Sequence, residues 1–326
     1  MAQQQPILVF TGGYSGEAAI SRKSAKMVMD HMDRSRFAPV LVHIDRSGWF
    51  TDHDGTKTPT SMESLLADSN PYIGVFIMVH GTPGEDGKLQ GLLETAGVPF
   101  TTGDSRAMAL TFHKGRTTDA LREAGIPVAR ARQLLPGDAW STAELVEELG
   151  LPCFVKPNET GSSIGIEKVS RMDQMDSAIS HAMDVGGAAG VIIESLLSGR
   201  EFTTGVIPDE NGEPMALPVT EIITHREFFD YAAKYDGESE EITPAEIPDT
   251  LRERLQLRAV EVYRATDMKG MARVDMMCEP EGEPHVIEIN TVPGFSEASI
   301  IPKQAAAIGM SKTELISRII DRTLLS

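Results

Sequence analysis

Apolar and polar residues alternate along this chain in short, regular blocks. Pro6–Phe10 is a buried-type run that ends in T-G-G-Y-S-G-E, and a helical period follows over roughly Ala18 to Met32. Val40–Ile44 reads as a second strand, and Gly74–His80 as a third that runs into H-G-T-P-G-E-D-G-K-L-Q-G. Strand, glycine turn, helix, strand is the opening of a doubly wound α/β unit. Further on, the period predicts a helix over Ala107–Ala124, a strand within Leu149–Pro157 and another over Gly190–Leu197. An amphipathic helix is predicted over Leu251–Ala265, with apolar positions at 251, 255, 259 and 262, and a last helix over Lys312–Leu324. Pattern breaks at Thr101–Ser105 and near Ile193 mark candidate domain boundaries. The stretch from His225 to Pro248 is long, polar and weakly periodic. Phe228, Phe229, Tyr231 and Tyr235 give it something to pack, so it is expected to be a lid.

The densest chemistry lies between Ala272 and Gly294. A-R-V-D-M-M-C-E and H-V-I-E-I-N read as two strands joined by a turn at Pro280, Gly282 and Pro284. Strand side chains alternate between faces. Arg273, Asp275 and Met277 therefore share one face, and Val286, Glu288 and Asn290 share one on the second strand. Paired as a hairpin, the strands bring Asp275, Glu288 and Asn290 together. Two carboxylates and an amide oxygen suit a magnesium ion that also holds phosphates, and the alternative is a solvated sheet face. Arg273 is placed to meet developing negative charge.

Other loops narrow the options. The first glycine turn is not G-x-G-x-x-G, so a dinucleotide fold fails its first test, although Asp45 ends the second strand where a ribose-binding acid would stand. Glu17 opens the first helix, where the dipole favours a carboxylate. His80 sits at the lip of a glycine-rich loop at a strand's carboxyl end, where open α/β sheets bind ligands. C-F-V-K-P at 153–157 leads into N-E-T-G-S-S-I-G. That loop lacks the GK[ST] of a P-loop, but its backbone N–H groups can form an anion nest, with Lys156 beside it.

Composition sets the remaining bounds. The 326 residues carry a net charge of −18, which argues against non-specific binding to nucleic acid or an anionic membrane. Cys153 and Cys278 both sit in apolar runs and fit no zinc or redox motif, so buried free thiols are expected. The N-terminus lacks the basic and apolar regions of a signal peptide, and no apolar run is long enough to span a bilayer. A cytoplasmic protein is expected.

Six blocks stand in order along the chain: G-G-Y-S-G-E-A-A-I-S at 12–21, H-G-T-P-G-E-D-G-K-L-Q-G at 80–91, V-K-P-N-E-T-G-S-S-I-G at 155–165, Y-A-A-K-Y at 231–235, R-V-D-M-M at 273–277 and E-I-N-T-V-P-G at 288–294. With them the chain resembles, over essentially its whole length, the D-alanine–D-alanine ligases of the ATP-grasp superfamily. The resemblance implies a three-domain ATP-grasp architecture: an N-terminal doubly wound parallel-sheet domain over 1–103, a central domain with the phosphate loop over 104–193, and a C-terminal domain with lid and metal site over 194–326. It implies ATP between the last two. Lys114 and Lys156 would hold its phosphates, under Ser163 and the 161–165 backbone. Glu194 and the backbone of Ser195 and Leu197 would meet the adenine, Met277 would line the pocket, and Glu201 would bind the ribose. Asp275, Glu288 and Asn290 would hold two magnesium ions, which manganese could replace. Arg273 and the N–H of Gly294 would stabilise the tetrahedral oxyanion.

On the substrate side, Glu17 would bind the first D-alanine ammonium with His80 in support, and Ser162 and Tyr235 would form a hydrogen-bonded set with Glu17. Lys234 and Ser299 would meet the second D-alanine. A homodimer is the family expectation. The K-Y pair at 234–235 is the form found in dipeptide-making relatives, which favours an amine acceptor over D-lactate. Glu297 and Ala298 depart from the small polar residues or His common after P-G, and His113 stands where Asp or Asn is commoner. Other readings are a different ATP-grasp ligase, including one for D-serine or D-lactate, and a non-catalytic nucleotide-binding module, which the complete metal set argues against.

Overall fold

The computed structural model describes residues 4–53, 55–67, 72–161, 164–224 and 239–325. In the first segment, β1 (Gln5–Gly12) leads through a glycine loop into α1 (Ala18–His31) and β2 (Phe37–Asp45). Then come β3 (Gly48–His53), β4 (Thr56–Thr60), a short α2 (Met62–Leu65), β5 (Val75–Ile77) and α3 (Lys88–Thr95). The sheet order is β4-β3-β2-β1-β5. β1, β2 and β5 are parallel, as expected, and β1 is buried without a break from Ile7. The antiparallel strands β3 and β4, which were not anticipated, extend the sheet beyond β2.

Because β1 and β5 are neighbours, their outgoing loops emerge side by side. Tyr14 N–H donates to the Thr82 carbonyl at 2.8 Å, and the Ser15 hydroxyl to that of His80 at 3.1 Å. Gly12 turns the first loop at φ +99, where a Cβ would stand 2.2 Å from the Ile44 carbonyl oxygen. Only glycine fits there.

The central segment holds α4 (Ser105–Phe112), α5 (Lys114–Glu123), β6 (Ala131–Leu134), α6 (Thr142–Leu149), β7 (Cys153–Pro157), β8 (Glu167–Val169), α7 (Met175–Gly186) and β9 (Val191–Ser195). The single helix expected over Ala107–Ala124 is in fact two. His113 adopts φ −95, ψ 100, and its Nδ1 caps the second helix by accepting from Arg116 N–H. The break is tolerated because Asn158 takes the freed donors: its carbonyl accepts from Lys114 N–H and its side-chain oxygen from Gly115 N–H, both at 3.0 Å. The strands form an antiparallel sheet, β6-β9-β7-β8, with an apolar core of its own around Cys153, Val155, Ile179 and Ile193.

The last segment is β10 (Arg200–Pro208), β11 (Pro214–Ala216), β12 (Thr220–Thr224), β13 (Ser239–Ile242), α8 (Asp249–Ala265), β14 (Ala272–Cys278), β15 (His285–Asn290), α9 (Ile300–Ala307) and α10 (Lys312–Thr323). Its sheet runs β13-β12-β10-β14-β15, with β11 on β10. The polar stretch expected to be a lid gives up 239–242 to an edge strand on β12, and 225–238 lie outside the described residues. Helix α8 buries Leu251, Leu255, Ala259 and Val262, the positions its period predicts.

This segment shares one continuous apolar core with the first, from Ile7 to Leu324. The Arg36 guanidinium, just ahead of β2, bonds Asp321 on α10 at 3.0 Å. Both cysteines are buried free thiols. Among the described residues, no helix is long and apolar enough to cross a membrane.

Candidate active site

Two cavities open between the segments. One, of about 420 Å³, is lined by Glu17, His80, Glu85, Lys114, Arg273, Gly294 and Ser299. The other, of about 540 Å³, is lined by Lys156, Glu194, Ser195, Leu197, Met277 and Ile287. Glu201, Asp275 and Glu288 line both. The cavities are thus two chambers of one cleft, and they meet at the hairpin carboxylates.

That hairpin forms as its alternation predicts, with one irregularity. β14 and β15 pair antiparallel with Arg273 opposite Asn290 and Asp275 opposite Glu288. The register then shifts, so that Met276 faces Val286 and Ile287 has no partner. Val286 was expected on the Glu288 face. After the bulge it pairs with Met276 and is buried, and it lines the second chamber together with Ile287.

Asp275 is the hub of the junction. Arg273 donates to it twice, Nε to Oδ1 at 2.8 Å and Nη2 to Oδ2 at 2.6 Å. The Thr203 hydroxyl donates to Oδ1, and Asn290 Nδ2 to Oδ2 at 3.0 Å. Burial opposes the Arg273 charge, but Asp275, Glu288 and Glu241 outweigh it and hold the guanidinium pKa above its ordinary range. Arg273 is therefore a permanent cation at the floor of the chamber.

In the first chamber, Glu17 is the N-cap residue of α1 and makes no side-chain cap hydrogen bond. Its carboxylate lies against the glycine/serine loop after β7: a Cβ on Gly161 would stand 2.8 Å from Glu17 Oε2. His80 is buried. Its Nε2 is 3.1 Å from the Ser24 hydroxyl, and the ring also engages the Val292 carbonyl. Burial pushes its pKa down to about 4, so the ring is neutral. Both nitrogens are committed to protein partners, which makes His80 a wall of the chamber more than a ligand of substrate. Ser299 ends the chamber ahead of α9, its Oγ accepting from Ser296 N–H at 2.9 Å.

Glu85, in the H-G-T-P-G-E block, was not singled out from the sequence. It lines the chamber with one oxygen accepting from Gly81 N–H at 2.6 Å and the other from Val292 N–H at 3.1 Å. Burial, then the charge of Glu17, pushes its carboxyl up to about 7. The departures at Glu297 and Ala298 are now readable. Glu297 points outward to Lys312 and His31, while Ala298 lines the chamber.

In the second chamber, Lys156 on β7 pairs with Glu194 on β9 at 2.5 Å, and both side chains are nearly buried. Lys114 Nζ donates to the Thr160 carbonyl at 2.6 Å, which ties the start of α5 to the glycine/serine loop after β7. Ser195 has its N–H and its hydroxyl engaged with the Arg130 backbone. Asp45, the ribose-acid alternative, stands away from both chambers and ties its own turn through Ser47. Ser162, Ser163, Lys234 and Tyr235 lie outside the described residues.

The junction fits a hard divalent cation. Among the described residues no three His, Cys, Asp or Glu side chains gather as a metal-binding group. The set here is two carboxylates and an amide, all on facing strands. Asn290 now points Nδ2 at Asp275 and Glu288. Turning the amide over presents its oxygen and completes a set of oxygens only, the donors magnesium takes.

Comparisons with known proteins point the same way. A family model described as "D-ala D-ala ligase C-terminus" matches residues 120–321. A D-alanine--D-alanine ligase of Christiangramia forsetii is 42% identical over 326 residues, covering 98% of this chain and 99% of that protein. One from Porphyromonas gingivalis is 39% identical, with 97% of each chain covered. Among solved structures, the VanG D-Ala:D-Ser ligase from Enterococcus faecalis matches with a TM-score of 0.88 at 30% identity, over 98% of this chain and 99% of that one. The D-alanine--D-Alanine ligase from Bacillus anthracis complexed with ATP matches at 0.81 and 29% identity, over 99% of this chain and 98% of that one. Similar over nearly its full length to such enzymes in sequence and in fold, the chain belongs to the D-alanine–D-alanine ligase family of the ATP-grasp fold.

Proposed function

We propose that the protein joins two D-alanines into D-alanyl-D-alanine at the expense of ATP, releasing ADP and phosphate, as a step of peptidoglycan precursor synthesis. The observation that carries this is the meeting of the two chambers at Asp275 and Glu288. A nucleotide in one chamber can present its terminal phosphate to a carboxylate held in the other. The division into 1–103, 104–193 and 194–326 belongs to this reading, with one wall of the cleft from each.

Phosphoryl transfer depends mainly on positioning and charge neutralisation. Lys114 and Lys156 hold the phosphates, and Ser163 with the 161–165 backbone covers them. Glu194 and the backbone of Ser195 and Leu197 take the adenine, Glu201 the ribose, and Met277 packs beside them. Glu17 binds the ammonium of the first D-alanine, in a hydrogen-bonded set that the family likeness would complete with Ser162 and Tyr235, and His80 supports it. That substrate's carboxylate oxygen bonds to the γ-phosphorus as the bond to ADP breaks. Lys234 and Ser299 hold the second D-alanine, whose amine attacks the acyl carbon, and phosphate departs with the electrons of the C–O bond. Arg273 and the Gly294 N–H face the oxyanion of the tetrahedral state, where a preorganised donor is worth most. Two magnesium ions, or manganese, on Asp275, Glu288 and Asn290 neutralise the phosphate charge when bound. The enzyme is read as a cytoplasmic homodimer.

The test is phosphate release from ATP and magnesium, with and without D-alanine, against L-alanine, D-serine and D-lactate. Release with D-alanine and a dipeptide product supports the reading; nucleotide binding without amino-acid-dependent release sinks it. Likeness to the VanG D-Ala:D-Ser ligase favours D-serine as the second acceptor to examine. A mixed dipeptide as the main product would shift the reading to that substrate.

A further inference from the structure

The segment that carries Gly294 is held from both sides by residues of the first sheet's loops and first helix. Two residues before Gly294, Val292 has its N–H on Glu85 Oε1 at 3.1 Å and its carbonyl engaged by the His80 ring. One residue after Gly294, Phe295 N–H donates to the Ser24 hydroxyl on α1 at 3.0 Å. That hydroxyl is in turn 3.1 Å from His80 Nε2. The directions are consistent. With the ring N–H assigned to Nδ1, toward the Val292 backbone, Ser24 can donate its O–H to Nε2 and its oxygen can accept from Phe295. Glu85 anchors its other oxygen on Gly81 N–H, beside His80.

We propose that Ser24, His80 and Glu85 form a clamp of positioning residues that aims the Gly294 N–H at the oxyanion. None of the three needs to touch substrate. The two peptides flanking Pro293–Gly294 are pinned through 207 and 271 residues of sequence separation, so the first segment sets the geometry of a catalytic donor in the last. A backbone amide cannot be mutated, so its placement must come from such neighbours. A displacement of about 1 Å at a catalytic group can cost about 100-fold in rate. This inference rests on the ligase reading above, and its test separates the two.

The experiment compares wild type, Ser24→Ala and Glu85→Gln, each as the full chain. It measures kcat for D-alanine-dependent phosphate release, the Kd of a non-hydrolysable ATP analogue, and the Ki of a phosphinate dipeptide that mimics the tetrahedral adduct. Each variant is expected to lose about 10- to 100-fold in kcat, to weaken the phosphinate by a similar factor, and to leave the ATP-analogue Kd unchanged. Ser24→Thr, which keeps the hydroxyl, is expected to recover most of the loss. A fall in kcat with undiminished phosphinate affinity overturns the clamp, as does wild-type kcat in either variant. The two substitutions act on opposite sides of Gly294, so if one variant fails to fold the other decides. A wild type without D-alanine-dependent release overturns the reaction and the clamp together; an active wild type with unaffected variants overturns the clamp alone.

Discussion

Arg273 grips Asp275 with two hydrogen bonds, at 2.8 Å and 2.6 Å, from a position two residues away on the same face of β14. The side chains are 18% and 9% exposed, so the pair is largely desolvated. Removing one partner from such a pair is costly, because the other charge is left buried. Arg273→Ala is expected to lower stability by about 3 kcal/mol, read from denaturant midpoints. Arg273→Lys keeps the charge but loses the fork. It should lose about 100-fold in kcat with a smaller fall in midpoint. A wild-type kcat in that variant would remove Arg273 from the oxyanion site.

Glu288 stands opposite Asp275 at the junction of the chambers. Glu288→Gln preserves shape while taking away one of two carboxylates. The fold should survive, with thermal melting close to wild type, while magnesium-dependent turnover falls by about two orders of magnitude. Manganese binding followed by calorimetry should weaken in step. An unchanged rate would withdraw the metal assignment.

If Lys156 holds ATP as proposed, the Lys156–Glu194 pair should contribute separably to binding and to stability. Lys156→Met strands Glu194 in a nearly buried position. It should both weaken ATP binding and lower the melting temperature. Adding Glu194→Gln should restore much of the melting temperature, because the stranded charge is gone, but not the ATP affinity. Recovery of both would mean that Lys156 acts only as a structural partner.

Glu85 and His80 give the protein opposing pH dependences. Glu85 is raised from 4.5 to about 7, so between those values the folded state holds a proton that the unfolded chain has lost. Its contribution is full below pH 4.5 and is lost as pH rises toward 7. His80 is lowered from 6.5 to about 4, so between those values the unfolded chain binds the extra proton, and stability rises with pH. In wild type the two slopes largely cancel. Glu85→Gln removes the falling part, so its stability relative to wild type should improve steadily from about pH 4.5 to about pH 7. Melting temperatures of both proteins at half-unit intervals check this; a constant difference would refute it.

Glu297 departs from the small polar residues or His common after P-G, which left the detail of the second subsite open. Its side chain is 73% exposed and turned to Lys312 and His31. Glu297→Ser should leave the choice among D-alanine, D-serine and D-lactate unchanged in competition assays.

Local pattern was enough for much of this protein. A period of two placed Arg273 and Asp275 on one face of β14 and Glu288 and Asn290 on one face of β15, and the helical period found the buried stripe of α8. These are properties of a few successive residues, and backbone geometry alone dictates them. What the pattern did not decide depended on partners far along the chain. Helix 107–124 breaks at His113 because Asn158, over 40 residues later, accepts the donors that the break exposes. The register shift after Asp275 sets Val286 opposite Met276, which the alternation along its own strand does not show. Glu85 looks in sequence like one more loop acid. Only the tertiary fold buries it and sets it near Glu17, which lifts its proton affinity, while the N–H of Val292, 207 residues away, donates to it and pulls the other way. The first and last segments share a core that no run of residues announces, since burial there is created by the approach of two surfaces, each of which would otherwise face water.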